Sequence, residues 1–304
     1  MPSDSRSTLV AILSLLLFFA AGTYVAVELL LGQDLPGVPS PGRVAIVPVT
    51  GAISSAQPVL DDLERFRENG SVEAFVLAIR SPGGTVGAAQ SLHREIRDLR
   101  RQDDRPVVAW IGDVGASGGY YAAVAADSLF ALPGSITGSI GVIMEFPNLE
   151  GALEKVGVGI EIVKRGEHKD AGSPFSALED EDRQVFQTLV DDAYEQFVSA
   201  VAEGRGLEPD SVTRLADGRI YSGRRAMELG LVDGMATLSE AVDAAGRMAG
   251  LGEDPRTLRP TRREVGLLEL VRGVSTARLR GLLADWTGLS VGPGGAPRLL
   301  YRWR

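Results

Sequence analysis

An α/β fold built on a largely parallel sheet is what this sequence predicts, and three observations predict it. Strand-like and helix-like segments alternate through the body of the chain, the signature of βαβ units. Glycine-rich loops follow the apolar runs "AFVLAIR" and "PVVAWI", beyond whose carboxyl ends an open α/β sheet carries its chemistry. With 44% hydrophobic and 23% charged residues, the chain can bury a sizeable core and is not disordered.

Taken in order, residues 1–8 form a short N-terminus, followed by the uncharged stretch "LVAILSLLLFFAAGTYVAV" and, past Glu28, a further "LLL". About twenty apolar residues suffice to cross a bilayer, so residues 9–31 predict a transmembrane helix. Ala20, Ala21 and Gly22 imitate a signal-peptide cleavage site, which leaves cleavage as the alternative to an anchor. Arg6 precedes the span and Glu28 and Asp34 follow it, which places the body outside the cytoplasm, at the cell membrane, by the positive-inside rule. Residues 32–42, "GQDLPGVPSPG", lack periodicity and form a Pro/Gly-rich linker.

The body spans residues 43–250. "RVAIVPV" reads as a strand, residues 59–67 as a helix, "AFVLAIR" as a buried strand, residues 87–100 as a helix, and "PVVAWI" as another strand. A helix follows Ser117; then come the short strands "SLFALP" and "GVIM", a helix over 149–156, and the strand "IEIVKR". Val185, Phe186, Leu189, Val190, Ala193, Phe197, Val198 and Val201 recur at helical spacing and predict a long amphipathic helix over 180–203, with Gly204 as its C-cap. Its stripe is a core or subunit contact rather than a cofactor box. Four short segments complete the body, "DSVTRLA", "RIYSG", "RRAMELGLVD" and "LSEAVDAAGRMAG".

Charge divides the chain. The net charge of −9 hides a tail from residue 255 to 304 with ten arginines against three acids, a local +7, so the rest carries −16. An acidic body argues against nucleic-acid binding. The absence of cysteine excludes disulfides and thiolate metal sites, and two histidines are too few for a His-rich one.

The stretch "GDVGASGGYY" surrounds one hydroxyl, Ser117, with glycines, either as a tight strand-to-helix turn or as a nucleophile with backbone N–H groups aimed at a reacting carbonyl. Gly83 and Gly84 of "SPGG" and Gly118 can present unobstructed amides, although a Pro-Gly turn explains "SPGG" equally well. Two neighbours in "GEHKDAGS", His168 and Lys169, compete as the base that would activate the serine, and the residues alone do not rank them. Ser135, Thr137 and Ser139 in "PGSITGSIGV" either orient a neutral amine or close turns.

Together "IRSPGG", "GASGGYYAAVAAD", "LPGSITGSIGVIME", "KRGEHKDAGSPF" and "ADGRIYSGRRAMELGLVD" resemble the signal peptide peptidase A (SppA) family over about residues 43–250, with the family's serine-to-lysine separation of 52 residues. The resemblance implies a ClpP/crotonase-like fold of repeated ββα units and a Ser-Lys dyad. It assigns the nucleophile to Ser117, the general base to Lys169, the hydroxyl that orients the lysine to Ser139, and the oxyanion donors to the amides of Gly84 and Gly118. It further implies a serine endopeptidase of remnant signal peptides and other short or unfolded chains, without cofactor or metal. Its dyad would be shared between adjacent protomers of a homo-oligomeric ring. The basic tail, residues 251–304, receives no role from it. The rivals are a crotonase-like acyl-CoA enzyme, a non-catalytic membrane scaffold, and a Ser117–His168 peptidase.

Overall fold

The computed structural model describes residues 13–24, 42–260 and 300–302. The chain divides into two compact units, Met1–Gly42 and Arg43–Arg304. In the first, residues 13–24 form helix α1. Among the described residues no helix is long and apolar enough to cross a membrane. The expected span over 9–31 extends outside the described residues at both ends, as do the linker up to residue 41 and most of the basic tail.

The second unit is built around one sheet. Strand β1 (Arg43–Thr50) pairs in parallel with β2 (Val72–Ser81), and β2 with β4 (Val107–Ala116). Beyond β4 the ladder forks. The first half of β4 pairs with β5 (Ser128–Ala131), itself extended by β8 (Gly234–Met235), and the end of β4 pairs with β6 (Ile136–Gly138). Strand β7 (Ile220–Ser222) lies antiparallel to β6, and β9 (Arg256–Leu258) closes the other edge beside β1. This mixed α/β arrangement with a largely parallel sheet fits a ClpP-like fold.

The near-continuous apolar runs of β1, β2 and β4 are explained by burial on both faces, as parallel sheets require. Alternate residues enter two separate cores. Ala45, Val47, Phe75, Leu77, Ile79 and Ile111 face one shared with α2 (Gln57–Arg67), α3 (Val86–Gln102) and α6 (Asp180–Arg205). Val44, Ile46, Val76, Val108 and Trp110 face a smaller one closed by α9 (Leu238–Met248), which follows the short helices α7 (Pro209–Leu215) and α8 (Gly223–Glu228). Helix α9 starts on a complete capping box, the Thr237 hydroxyl and Glu240 carboxylate each holding the other's backbone amide.

Helix α6 runs two residues further than its stripe predicts. Its C-cap is Gly206, at φ +61°, while Gly204 serves close packing: a Cβ there would lie 2.1 Å from the Val124 carbonyl. Two expected strands do not form. Residues 141–144 and 160–165 belong to no named strand, and around α5 (Glu150–Lys155) they leave Ile143, Val156, Ile160, Ile162 and Val163 exposed. Their short apolar runs are strand-like, but apart from a single bridge at Ile143 neither run pairs into a strand among the described residues.

A last strand, β10 (Leu300–Arg302), lies antiparallel to the three-residue β3 (Gly83–Thr85).

Candidate active site

Strand β4 delivers Ser117. Ile79 of β2 pairs with Ile111 of β4, but the next pair is Ser81 with Gly115, so β4 carries extra residues and bulges just before its end. Ser117 then caps the six-residue α4 (Gly118–Ala123), with φ +52° and ψ −118°. A non-glycine residue in that conformation is strained and persists only where its surroundings hold it, as in the strand-to-helix turn that presents a nucleophilic serine.

Backbone bonds hold it from both sides. The Ser117 N–H donates to the Gly138 carbonyl at 2.8 Å, and its own carbonyl accepts from the Tyr121 N–H at 2.8 Å. Behind it, the Thr137 hydroxyl donates to the Gly115 carbonyl at 2.8 Å and the Ser135 hydroxyl to that of Gly112 at 2.5 Å, tying β6 to β4. Ahead of it, the Tyr120 hydroxyl donates to the Leu231 carbonyl at 2.7 Å, and the Tyr121 ring packs between His93 and Phe197 at 4.9 and 5.0 Å.

Gly115, Gly119 and Gly84 leave little or no room for a side chain. A Cβ at Gly115 would lie 2.7 Å from the Ile111 side chain, and one at Gly119 would lie 3.0 Å from the Ser81 carbonyl. At Gly84 it would lie 2.1 Å from the carbonyl oxygen of Ile53, the residue that bridges to β3. The "SPGG" loop is more than a turn: the buried Ser81 hydroxyl accepts from the Gly83 N–H at 3.1 Å, and β3 packs on α4.

Ser139 also has a positive φ, +50°, and its N–H donates to the Arg219 carbonyl at 2.8 Å. It lines a cavity of about 700 Å³ together with Val142, Tyr194, Asp191 and Asp217. Ser117 is only 1% exposed and Ser139 7%. Of the three hydroxyls in "PGSITGSIGV", two are thus cross-braces between strands and one opens onto a cavity.

Lys169 lies elsewhere. It is exposed on a loop of tight turns and makes no side-chain hydrogen bond or ion pair with a described residue, Ser117 included. Its neighbours are tied down. His168 Nδ1 lies 2.6 Å from Asp182 Oδ1 in the first turn of α6, and Asp170 takes a hydrogen bond from the Lys164 ammonium. That bond holds the Asp170 carboxyl below its ordinary range, and Asp182 raises the His168 imidazole above its own. Gly172, at φ +72°, sits under the Phe146 ring, which stacks at 4.4 Å on Phe186 of α6. Asp182 was not legible in the sequence; it is one of three acids opening α6 and nothing distinguishes it there.

The structure thus assembles Ser117, Gly118 and Ser139 on one end of the sheet, with Gly84 on the strand packed against α4, and puts Lys169 on an exposed loop without a hydrogen bond to Ser117. Among the described residues no cluster of His, Asp and Glu could hold a metal ion.

A strained serine at a strand-to-helix turn is the arrangement by which serine hydrolases present a nucleophile, and comparison with known proteins names the family. The model of peptidase family S49 matches residues 99–252. A Synechocystis protein named as a protease is 39% identical over 269 residues, covering 86% of this chain and 96% of that one. A protein of Enterococcus faecium named as the signal peptide peptidase SppA is 34% identical over 233 residues, 77% of this chain and 65% of its own. The chloroplastic serine protease SPPA of Arabidopsis thaliana is 32% identical over 223 residues, but the match spans only 32% of that protein. The chain belongs to peptidase family S49, the SppA family of serine peptidases.

Proposed function

We propose that this chain is a membrane-anchored serine endopeptidase acting by a Ser-Lys dyad, its catalytic body outside the cytoplasm. Its substrates are remnant signal peptides and other short or unfolded chains. Lys169 Nζ, in its neutral form, takes the Ser117 proton as Oγ bonds to the peptide carbonyl carbon. The oxyanion accepts from the Gly84 and Gly118 amides. As the C–N bond breaks, the lysine returns that proton to the leaving amine; it then deprotonates the water that hydrolyses the ester. Ser139, one residue past the carbonyl that holds Ser117, orients the lysine. No step calls for a metal or organic cofactor.

The observation that carries this reading is Ser117 itself, a strained residue braced on both sides and flanked by Gly115 and Gly119, where a side chain would crowd its neighbours. That Lys169 is exposed and makes no hydrogen bond to Ser117 favours a dyad completed between protomers of a homo-oligomeric ring, and the exposed apolar arm around α5 offers a contact surface. Residues 9–31 supply the single-pass anchor, residues 43–250 the peptidase domain, and residues 251–304 a basic tail. A fluorophosphonate probe should label Ser117 in the wild type; labelling that survives Ser117→Ala would remove the assignment.

A second reading rests on the His168–Asp182 pair, a histidine already oriented by a carboxylate, as a serine peptidase base needs. It predicts loss of activity in His168→Ala and retention in Lys169→Ala. The dyad reading predicts the reverse.

A further inference from the structure

The proposed mechanism needs an uncharged lysine beside Ser139, but the cavity onto which Ser139 opens has acids in its wall. Asp217 lines it from the turn before β7, and Asp191 and Tyr194 line it from α6. Burial, followed by the Asp217 charge, raises the Tyr194 phenol above its ordinary value, so that carboxylate is felt across the cavity. An acid within reach of an amine pairs with it and keeps it protonated, which would hold a base placed here as its inactive ammonium.

Arg219 occupies that acid. Its Nε donates to both Asp217 carboxylate oxygens at 2.7 Å, and its Nη2 donates to Oδ2 as well. The grip holds the Asp217 carboxyl below its ordinary range. Asp217 also has a structural task, since its Oδ1 accepts the Arg219 N–H at 3.1 Å and so shapes the turn. That turn carries Ser139: the Arg219 carbonyl accepts the Ser139 N–H at 2.8 Å, and the Gly218 N–H donates to the Ile140 carbonyl at 3.1 Å. The charge on Asp217 is a by-product of this support, and Arg219 neutralises it. Asp191, exposed on α6, accepts from the uncharged Gln187 amide at 2.7 Å, and Tyr221 of β7 gives its hydroxyl to the Leu215 carbonyl at 3.0 Å.

We infer that Arg219 is a positioning residue for the general base: by holding the Asp217 carboxylate it stops that acid from pairing with the lysine amine that reaches Ser139. The inference rests on the reading of Lys169 as base and Ser139 as its partner, and adds the residue that keeps the amine's lone pair free. One residue then serves the base twice, its backbone carbonyl fixing Ser139 and its side chain screening the acid beside it.

The test measures kcat/KM against pH for the full chain with a fluorogenic peptide. Arg219→Gln leaves an unpaired carboxylate by the amine and should move the alkaline midpoint up by about one unit. The rate below the midpoint should then fall about tenfold, with the alkaline plateau unchanged. Arg219→Met, of similar length and uncharged, supplies the same comparison if the glutamine variant does not fold. Removing the acid as well, in Asp217→Asn/Arg219→Gln, should return the midpoint to its wild-type value, because asparagine keeps the turn's acceptor without the charge. A merely structural role for Arg219 would lower the plateau and leave the midpoint in place. That result, or a shift that persists in the double variant, would overturn the inference. Lys169→Ala tells the two failures apart. Turnover that survives it removes the base assignment and the inference together, whereas lysine-dependent turnover with a stationary midpoint removes the inference alone.

Discussion

Ser117 and Ser139 leave adjacent parallel strands at the same step of the ladder. Gly115 pairs with Thr137 and Ala116 with Gly138, and the next residue on each strand is a serine at positive φ, +52° and +50°. The hydrogen bond from Ser117 N–H to the Gly138 carbonyl completes the register. Neither side-chain oxygen bonds a described residue, so each hydroxyl is available to a third group.

That pairing predicts different outcomes for the two serines. Ser117→Ala should cost turnover on the order of a million-fold, the scale of losing a nucleophile. Ser139→Ala should cost about a hundredfold, the scale of a misplaced catalytic group, while both proteins keep wild-type melting temperatures. Steady-state kinetics and calorimetry check this; a Ser139→Ala enzyme of full activity would leave the lysine oriented by something else.

If the dyad is completed between protomers, two dead variants should rescue one another. Ser117→Ala and Lys169→Ala, co-expressed in equal amounts and randomly mixed in a head-to-tail ring, should regain roughly a quarter of the wild-type sites. Mixed rings with no recovery would place both residues of a site in one chain.

His168 gives a pH signature. Asp182 holds its pKa above the ordinary histidine value of about 6.5. The charged tie between loop and α6 is therefore complete below that ordinary value and is lost as pH rises through the raised one. An NMR titration should find the His168 pKa lower in Asp182→Asn; an unchanged value would mean that the pair does not persist in solution.

His93 predicts the opposite dependence. Burial, followed by the nearby Arg97, pushes its pKa down to about 4. Its neutral form is the folded one, so its contribution is present above about pH 6.5 and is lost as pH falls towards 4, a span on the order of 3 kcal/mol. Melting temperatures at pH 7 and pH 5 should differ more in the wild type than in His93→Gln. The same difference in both would assign the acid sensitivity elsewhere.

How far the site could be read from the sequence follows the physics of each part. The buried strands were legible because apolar runs bounded by turn residues have few alternatives, and "GASGG" was legible because glycines crowd only where a side chain is excluded. The strands expected at 141–144 and 160–165 failed because a short apolar run does not say whose edge it joins. Gly204 was misassigned because a glycine near a helix end suits either a cap or a close contact. The His168–Asp182 tie and the β10–β3 pairing join residues 14 and more than 200 positions apart, and no local pattern announces such partners.

The strain at Ser117 has a consequence for engineering heat resistance into this fold. A non-glycine residue held at such angles costs on the order of 1–3 kcal/mol, and among the described non-glycine residues only Asp104, Ser139 and Asp254 share a positive φ with it. Ser117→Gly should release that strain and raise the melting temperature and, on the proposed mechanism, abolish hydrolysis. A screen for thermostable variants that does not also demand turnover would therefore enrich inactive enzymes mutated at Ser117, the proposed nucleophile.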